Sequence, residues 1–194
     1  QIKKIMDPFK KFRKWFDLAK KNHPFDHTSF ALSTVYKNKP YVRMILLKKI
    51  LDDGFVFFTN INSAKGRHFE FNKNFSMCFY WESIEKQIRI VGKGRLVENK
   101  MSEEYFFSRQ RGSKIGAWVS DQSSEIPGEH HLENRQKYFI NKFRNKEVPR
   151  PKYWVGIKVI PEEFEFWQRG KFRLHKREFY SLKNKKWEMK VLAP

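Results

Sequence analysis

The chain has 194 residues, of which 40% are hydrophobic and 17% aromatic, and no apolar run is long enough to cross a bilayer. This composition excludes a disordered chain and a helical membrane protein, and the length suits one compact core. The net charge is +20, with 41 Lys and Arg against 21 Asp and Glu, a balance typical of proteins that bind nucleic acid, anionic membranes or acidic ligands. Much of the excess is lysine scattered through Lys- and Asn-rich segments, so the charge alone selects none of these partners.

The basic amino-terminal stretch QIKKIMDPFKKFRKWF lacks the apolar segment and cleavage site of a secretion signal, so we expect a cytoplasmic protein. Its first residue is Gln rather than Met, which leaves open that residues precede it. The single cysteine, Cys78, cannot form an intrachain disulfide, and its setting in FSMCFYW predicts a buried small hydrophobe rather than a reactive thiol.

The first half of the chain predicts one helix, a strand meander and a second helix. Residues 8–22 carry aromatic residues at helical spacing after a proline, which predicts an amphipathic amino-terminal helix. The runs SFALSTVY, YVRMILLKKI and FVFFTN, separated by turn residues, predict strands. SAKGRHFEFNK predicts a short helix capped by Ser63, and FSMCFYWE and KQIRIVGKGRLVE predict two more strands.

The second half predicts a helical insertion over residues 101–144, broken around Arg111–Gly112 and Ser123–Gly128, and carboxyl-terminal strands over residues 153–192. The four predicted strands there are WVGIKVI, EEFEFWQ, FRLHKREFY and KWEMKVL. The fold class is therefore mainly β with helices (α+β), an antiparallel barrel of about eight strands with a small helical part, in one domain over residues 1–194.

Two arginines and a histidine follow one another in the predicted strand FRLHKREF. Alternation would set Arg173, His175 and Arg177 on one face and turn Leu174 to the other. The repulsion between two arginines about 13 Å apart is only roughly 1 kcal/mol, so a solvated cationic strand and a ligand-binding strand both remain open.

Several common catalytic motifs are missing. The sequence contains no GxGxxG after a strand, no GxxxxGK[ST] and no GxSxG, and its six scattered histidines and one cysteine predict no metal site. It does contain many groups that can hold a phosphate, and TNINSAKG sets a strand end before a helix N-terminus, which favours anions. These groups are Arg43, Lys48, Lys65, Arg67, Arg109, Ser113, Gln122 and Ser123. Together with Trp167, they predict that flat anionic ligands bind at the ends of the sheet.

The order of several motifs resembles the pyridoxamine 5'-phosphate oxidase family from about residue 26 to residue 194. The motifs are RMILLK (43–48), FFTN with S-KG (57–66), QIRIVG (87–92), YFFSRQRGSKIGAWVSDQSS (105–124), VPRPKYWVG (148–156), FEFWQ (164–168), RLHKR (173–177) and a final LAP. The resemblance implies an FMN-binding split β-barrel. It also implies a homodimer with FMN at the subunit interface, and neither nucleic acid nor membrane as a partner.

The resemblance also implies which residues contact FMN. They are Arg43, Met44, Ile45, Leu46, Leu47, Lys48, Phe58, Thr59, Ala64, Lys65, Gln87, Gln122, Ser123, Trp167 and Arg177. Ala64 departs from the family, which usually has an arginine before this lysine. We therefore expect somewhat weaker FMN binding, unless Arg67, one turn further along, reaches back.

The substrate residues implied by the resemblance are Lys48, Tyr105, Arg109, Ser113, Arg173, Leu174 and His175. Tyr105, Arg109 and Ser113 would share one helical face if the helix continues through Arg111–Gly112. Arg173 and His175 would lie against the substrate ring as the catalytic pair, with His175 at least as well suited to orienting the substrate as to acting as a base.

The implied reaction oxidises pyridoxamine or pyridoxine 5'-phosphate to pyridoxal 5'-phosphate, with hydride passing to the flavin and then to O2, releasing H2O2. The protein's part is then to position rings and phosphates. Alternatives are another split-barrel FMN protein of the flavin-reductase type, a relative that binds without turnover, and a basic nucleic-acid-binding module. The family's amino-terminal substrate-contacting segment has no match in this sequence.

Overall fold

The computed structural model describes residues 6–194, so residues 1–5 of the basic amino-terminal stretch lie outside the described part. The helices are α1 Pro8–Asn22, α2 Ala64–Phe71, α3 Asn99–Ser108, α4 Arg111–Val119 and α5 His131–Lys142. The strands are β1 Ser29–Tyr36, β2 Lys39–Leu46, β3 Lys49–Ile50, β4 Phe55–Asn60, β5 Asn74–Trp81, β6 Lys86–Leu96, β7 Trp154–Gln168, β8 Lys176–Lys183 and β9 Lys186–Leu192. Short 3₁₀ turns cover Glu82–Ile84 and Lys171–Arg173.

One antiparallel sheet contains all nine of these strands. Its order is β2-β1-β5-β6-β7-β4-β3, and β8 and β9 extend it from β7. Strand β7 pairs with β4 through its first half, with β8 through its second half, and with β6 along most of its length. The sheet therefore branches at β7, which gives the barrel its open, split form.

Strand β7 is one continuous strand of 15 residues, so the prediction of two separate strands in this region is wrong. Pro161, between the two predicted strands, lies where the register with β6 shifts between Val91 and Gly92. A bulge tolerates proline because no ladder hydrogen bond is required there. A Cβ on Gly92 would lie 2.2 Å from the Ile160 carbonyl oxygen, so this close approach requires glycine.

The core lies between the sheet and helix α1. The helix has the predicted bounds, begins with Pro8, and is capped by Asp7, whose side chain accepts a hydrogen bond from the Lys10 backbone N–H. Phe12 and Ala19 are fully buried against the sheet. Cys78 is half-buried on β5, and burial raises the pKa of its thiol.

The segment before β8 is a turn rather than a strand, so the predicted alternation of Arg173, Leu174 and His175 is wrong. Phe172 and Arg173 have positive φ angles of 54° and 64°, and the His175 N–H donates to the Arg173 carbonyl oxygen at 2.9 Å. This hydrogen bond closes a γ-turn around Leu174. A Cβ on Gly170 would lie 1.9 Å from the Leu174 carbonyl oxygen, so the turn folds back onto a position that only glycine can occupy.

Helices α4 and α5 form a small second core and cap each other. Arg111, at the start of α4, donates to carbonyl oxygens of Phe143 and Lys146 just past the end of α5. Arg135, within α5, donates to the Val119 carbonyl oxygen at 2.6 Å at the end of α4. Each guanidinium thus satisfies carbonyl groups that a helix end leaves without partners.

In the helical part, α3 ends at Ser108 and α4 begins at Arg111. The condition for a single face bearing Tyr105, Arg109 and Ser113 is therefore not met, because Arg109 is the C-cap of α3 and has extended backbone angles.

No helix within residues 6–194 combines the length and hydropathy that a membrane span requires.

Candidate functional site

An open cleft of about 540 Å³ lies where the end of β4 and the start of α2 meet β2 and the helical part. Four segments and one buried tryptophan, Trp154, surround it. The lining residues are Arg43, Met44, Ile45, Phe58, Thr59, Asn60, Ala64, Lys65, Arg109, Gly116, Ala117, Ser120, Gln122, Ser123 and Trp154.

The charged residues that line the cleft are all cationic. Arg43, Lys65 and Arg109 line it, and none of the described lining residues carries a carboxylate. Cations that share a half-buried space without an acidic partner repel each other and lose hydration. An anionic ligand would relieve both effects, so the cleft suits a phosphate.

Lys65 lies in the first turn of α2 and points across the helix N-terminus. Its Nζ atom donates to Thr59 Oγ1 and Ser63 Oγ, both at 3.2 Å. Ser63 is the predicted N-cap, and its Oγ accepts from the Gly66 backbone N–H. Burial, with a smaller effect from the nearby Arg43 charge, lowers the pKa of Lys65 to about 8. The ammonium is therefore held in a place that favours a negative neighbour.

Arg43 on β2 is anchored through one nitrogen. Its Nη1 atom lies 2.7 Å from Thr34 Oγ1, 3.2 Å from the Leu32 carbonyl oxygen and 3.3 Å from the Tyr41 carbonyl oxygen. Within the described part of the chain, the hydrogen-bond partners of this guanidinium all belong to Nη1. Its remaining N–H groups are free to meet a ligand in the cleft.

Arg109 carries a buried donor without a partner. Its Nη1 atom is inaccessible to solvent and has no hydrogen-bond partner among residues 6–194. The guanidinium packs over the rings of Trp154, at 5.0 Å, and Phe106, at 5.7 Å. Burial lowers the pKa of Arg109. A buried N–H without a partner costs about 1–3 kcal/mol, which a ligand oxygen could recover.

Tyr105 lies beside the cleft rather than in its lining. Its ring stacks on Phe58 at 4.2 Å and lies parallel to Trp154 at 6.1 Å. Burial raises the pKa of its phenol. These three parallel rings form a rigid wall behind Arg109.

Ala64, which stands where the family resemblance predicts an arginine, lines the cleft. Arg67 does not take the place of that arginine. The Arg67 side chain donates from Nη1 to the Asn62 carbonyl oxygen at 2.7 Å and is not among the lining residues.

A second group of predicted cofactor residues, which we call the outer group, consists of Gln87, Trp167 and Arg177. Their strands set them side by side, Gln87 opposite Trp167 and Trp167 opposite Arg177. Their sequence neighbours Ile88 and Phe166 are buried in the core, so alternation turns the outer group to the opposite face of the sheet. None of the three lines the cleft.

The guanidinium of Arg177 is already hydrogen-bonded. Its Nε and Nη2 atoms donate to the buried Glu165 carboxylate at 2.9 and 3.2 Å, and Nη1 donates to the Ala193 carbonyl oxygen at 2.8 Å. Arg89 also pairs with Glu165. Burial alone would raise the pKa of Glu165, but the hydrogen bonds from Arg177 and Arg89 outweigh it and lower that pKa.

The expected catalytic pair lies near the outer group. The His175 ring packs on Trp167 at 4.7 Å, and its Nδ1 atom accepts the Gly170 backbone N–H at 3.2 Å. Because Nδ1 is an acceptor here, it cannot also carry a proton, and this nitrogen closes the turn. Arg173 and Leu174 are exposed on the same turn.

The remaining predicted residues are dispersed. Leu47 is buried in the core, Leu46 is exposed, and Lys48 follows the end of β2 with an exposed side chain. Ser113 is exposed on α4. The motifs gave no role to five residues that the structure adds to the cleft: Asn60, Gly116, Ala117, Ser120 and Trp154. A signal for all five was present, since Asn60 ends the FFTN motif, Trp154 stands within VPRPKYWVG, and the other three lie within the motif of residues 105–124.

Comparison with known families identifies the chain. Residues 18–143 match the family described as pyridoxamine 5'-phosphate oxidase. The chain belongs to the pyridoxamine 5'-phosphate oxidase family. Residues 154–194 match the pyridoxine 5'-phosphate oxidase C-terminal dimerisation region, which supports a homodimer.

Relatives of this family cover almost the whole chain. The pyridoxine/pyridoxamine 5'-phosphate oxidase of Zymomonas mobilis is 41% identical over 189 residues, which is 97% of this chain and 98% of that protein. The protein of the same name from Christiangramia forsetii is 43% identical over 97% of this chain and 89% of its own length. These names describe oxidoreductases and support that class for this chain.

Solved structures agree with the expected fold class. PhzG from Burkholderia lata, in complex with tetrahydrophenazine-1-carboxylic acid, superposes with a TM-score of 0.92 at 26% identity, covering 99% of this chain and 95% of that one. A pyridoxamine 5'-phosphate oxidase-related, FMN-binding protein from Nostoc punctiforme has a TM-score of 0.76 at 15% identity, covering 98% of this chain and all of that one, and supports the fold alone. The α+β split-barrel fold of the oxidase family is thus confirmed.

Proposed function

We propose that this chain is an FMN-dependent oxidase that converts pyridoxamine and pyridoxine 5'-phosphates to pyridoxal 5'-phosphate, reducing O2 to H2O2. The observation that carries the proposal is the cleft itself. It holds three cations, no carboxylate among its described lining residues, and a buried Arg109 nitrogen without a partner. Such a site suits phosphate groups, which both the cofactor and the substrate carry.

The residues of the cleft fit FMN. Arg43 and Lys65, with the N-terminus of α2, would hold its phosphate, because the two cations and the helix end converge on the same space. Thr59, Gln122 and Ser123 add polar groups beside them. Bound FMN supplies the acceptor for the two electrons removed from the substrate.

Arg109 would hold the phosphate of the substrate. Its guanidinium is fixed against Trp154 and Phe106, so its orientation is set before a ligand arrives. A fixed donor loses little entropy on binding and keeps the reacting carbon at one distance from the cofactor. The proposal adds three further residues to the substrate-phosphate site: Lys48, Tyr105 and Ser113. They do not line the cleft, so binding of a ligand or of the second subunit would have to bring them to Arg109.

The separation of the cleft from the outer group supports a site shared between two subunits. Trp154 lines the cleft at the start of β7, and Trp167 belongs to the outer group at its end. At about 3.3 Å per residue, roughly 40 Å of strand lies between them. One flavin would therefore contact the cleft of one subunit and the Gln87, Trp167 and Arg177 of the other. In that arrangement Arg173 and His175 approach the substrate from the second subunit.

The visible spectrum of the purified protein tests the proposal. We expect the absorption of bound flavin, bleaching of that absorption by pyridoxine 5'-phosphate without oxygen, and its return with H2O2 when air is admitted. A colourless protein that binds DNA or RNA with steep salt dependence would overturn the proposal in favour of a nucleic-acid-binding protein.

The similarity to PhzG favours one second candidate, a flavoprotein of the same fold with a different substrate. A yellow protein that pyridoxine and pyridoxamine 5'-phosphates leave oxidised, but that a reduced polycyclic carboxylic acid bleaches, would support that candidate. Arg109 then would have a carboxylate as its partner.

A further inference from the structure

Two buried residues that do not line the cleft connect Arg43 to helix α2. Thr34 on β1 and His68 in the last turn of α2 are 1% and 6% exposed. Thr34 Oγ1 lies 2.7 Å from Arg43 Nη1 and 2.8 Å from His68 Nδ1. The three side chains therefore form one hydrogen-bonded row that leads from α2 to the cleft.

The chemistry of the groups fixes the direction of the Arg43–Thr34 hydrogen bond. A guanidinium has no acceptor, so Arg43 donates and the Thr34 oxygen accepts. With Arg43 as the donor, the hydroxyl proton of Thr34 is available to Nδ1 of His68, which lies 2.8 Å away. For His68 to accept this proton, Nδ1 must be unprotonated, and the ring proton lies on Nε2.

The surroundings of His68 favour this neutral form. Its ring stacks on Tyr36 at 5.1 Å with an interplanar angle of 9°, and packs against Tyr41 at 4.5 Å with an interplanar angle of 49°. Burial, followed by the charges of Arg43 and Arg67, lowers the pKa of His68. The two tyrosines hold the ring in place, so Nδ1 keeps its position beside the Thr34 hydroxyl.

We infer that Thr34 and His68 are positioning residues that aim Arg43 at the phosphate of the cofactor. This inference rests on the proposed function, because it takes the anion in the cleft to be the FMN phosphate. His68 holds the proton of Thr34, Thr34 holds Nη1 of Arg43, and the other N–H groups of Arg43 then face the ligand in one orientation. Neither residue belongs to the motifs that indicated the cofactor site.

The decisive measurement is the ratio of the dissociation constants of riboflavin and FMN, since the two ligands differ by the phosphate alone. In Thr34→Val and His68→Phe we expect this ratio to fall by about tenfold, because one charge-assisted hydrogen bond is weakened. Riboflavin affinity should stay within about twofold of the wild-type value, as the row does not approach the ring. His68→Phe keeps the aromatic packing against Tyr36 and Tyr41, so a fall of the ratio in this variant reports the loss of the hydrogen bond between His68 and Thr34.

Two further variants separate positioning from general damage. His68→Asn offers a carboxamide oxygen where Nδ1 stood and should restore most of the ratio. Ser33→Ala removes the neighbouring hydroxyl on β1, which lies on the opposite face, and should leave the ratio unchanged. Thermal unfolding of each apoprotein supplies the control for folding.

The outcomes distinguish this inference from the proposed function. If the wild-type protein binds riboflavin as well as FMN, the proposed function fails first. If the wild type prefers FMN and both Thr34→Val and His68→Phe retain the full preference, the positioning role alone is overturned. A variant that loses affinity for both ligands equally, together with thermal stability, also contradicts positioning, because a structural role explains that pattern.

Discussion

The cleft and the outer group both contain an arginine predicted to bind a ligand, the substrate for Arg109 and the cofactor for Arg177, but the two differ in how many of their hydrogen bonds are already made. Each of the three side-chain nitrogens of Arg177 already donates a hydrogen bond, to Glu165 or to the Ala193 carbonyl oxygen. Arg109 has a buried nitrogen with no partner among the described residues. The outer group is therefore stable as it stands, whereas the cleft is less stable until an anion binds. Sequence motifs alone cannot separate these two conditions.

The difference has an energetic reading. A buried carboxylate with two arginine partners stabilises the fold, and removing one partner costs about 2–4 kcal/mol. A buried donor without a partner lowers the stability of the free protein by about 1–3 kcal/mol, and its ligand gains a similar amount. Under the proposed function, the cleft would thus gain ligand affinity at the expense of the stability of the free protein, while the outer group would not.

Removing Arg109 should have the largest effect and should act in opposite directions on binding and stability. In Arg109→Met, whose side chain keeps the packing on Trp154, we expect KM for pyridoxine 5'-phosphate to rise about a hundredfold, equivalent to about 3 kcal/mol. The free protein should unfold at the same or a higher temperature. Steady-state kinetics and calorimetry check the two halves, and a destabilised protein with unchanged KM would remove Arg109 from the site.

The matched change in the outer group should act mainly on stability. We expect Arg177→Met to lower the free energy of unfolding by about 2 kcal/mol, because Glu165 loses one of two partners while remaining buried. The lowered pKa of Glu165 adds a pH signature. Its stabilisation is present above the unfolded pKa, near 4.5, and is lost as the pH falls through the folded pKa.

The free energy of unfolding, measured with denaturant from pH 7 to pH 3 in the wild type and in Glu165→Gln, therefore tests this pH signature. The wild type should lose more stability in acid than Glu165→Gln, whose side chain cannot titrate. Equal acid sensitivity in both proteins would mean that the Glu165 cluster contributes nothing to the difference between the two regions.

Lys65 should make FMN binding depend on pH in the alkaline range. Its pKa is about 8 in the free protein, and a bound phosphate raises it, so binding above pH 8 takes up a proton. We expect affinity for FMN to fall about tenfold between pH 7 and pH 9. Fluorescence titrations check this, with Lys65→Arg, which stays charged, as the control that should show a flat profile.

Restoring the arginine at position 64 should give the smallest effect. Ala64 lines the cleft at the first turn of α2, so Ala64→Arg adds a donor facing the phosphate, and we expect FMN to bind about fivefold more tightly, or about 1 kcal/mol. Arg67→Ala is the control, since Arg67 donates to Asn62 away from the cleft and should leave FMN affinity unchanged. An affinity gain in neither variant would mean that Arg43 and Lys65 suffice.

Periodicity and capping predicted the regular elements well. Helix α1 has the predicted bounds, and Ser63 caps α2 as expected, because aromatic spacing and a serine before a helix are local signals. The break between α3 and α4 lies at Arg109–Gln110 rather than at Arg111–Gly112, since neither proline nor glycine marks it. Bulges and breaks of this kind depend on tertiary contacts.

The site was predictable in composition and only partly in arrangement. The FFTN and SAKG motifs lead directly into the cleft because they are a strand end and a helix start joined by a short turn. The alternation in FRLHKREF predicts a strand, yet Phe172 and Arg173 adopt left-handed angles that such residues rarely take. Whether a side chain such as Arg109 or Arg177 has a free N–H depends on neighbours distant in sequence, and no motif encodes that.

The position of the cleft and the outer group at opposite ends of β7 has a genetic consequence. If the site is shared between subunits as proposed, a mixed dimer of a subunit damaged in its cleft and one damaged in its outer group has both defects in one site, and its other site is built from undamaged halves. Two inactive alleles would then complement each other when expressed together. Two alleles that damage the same end of β7 would not.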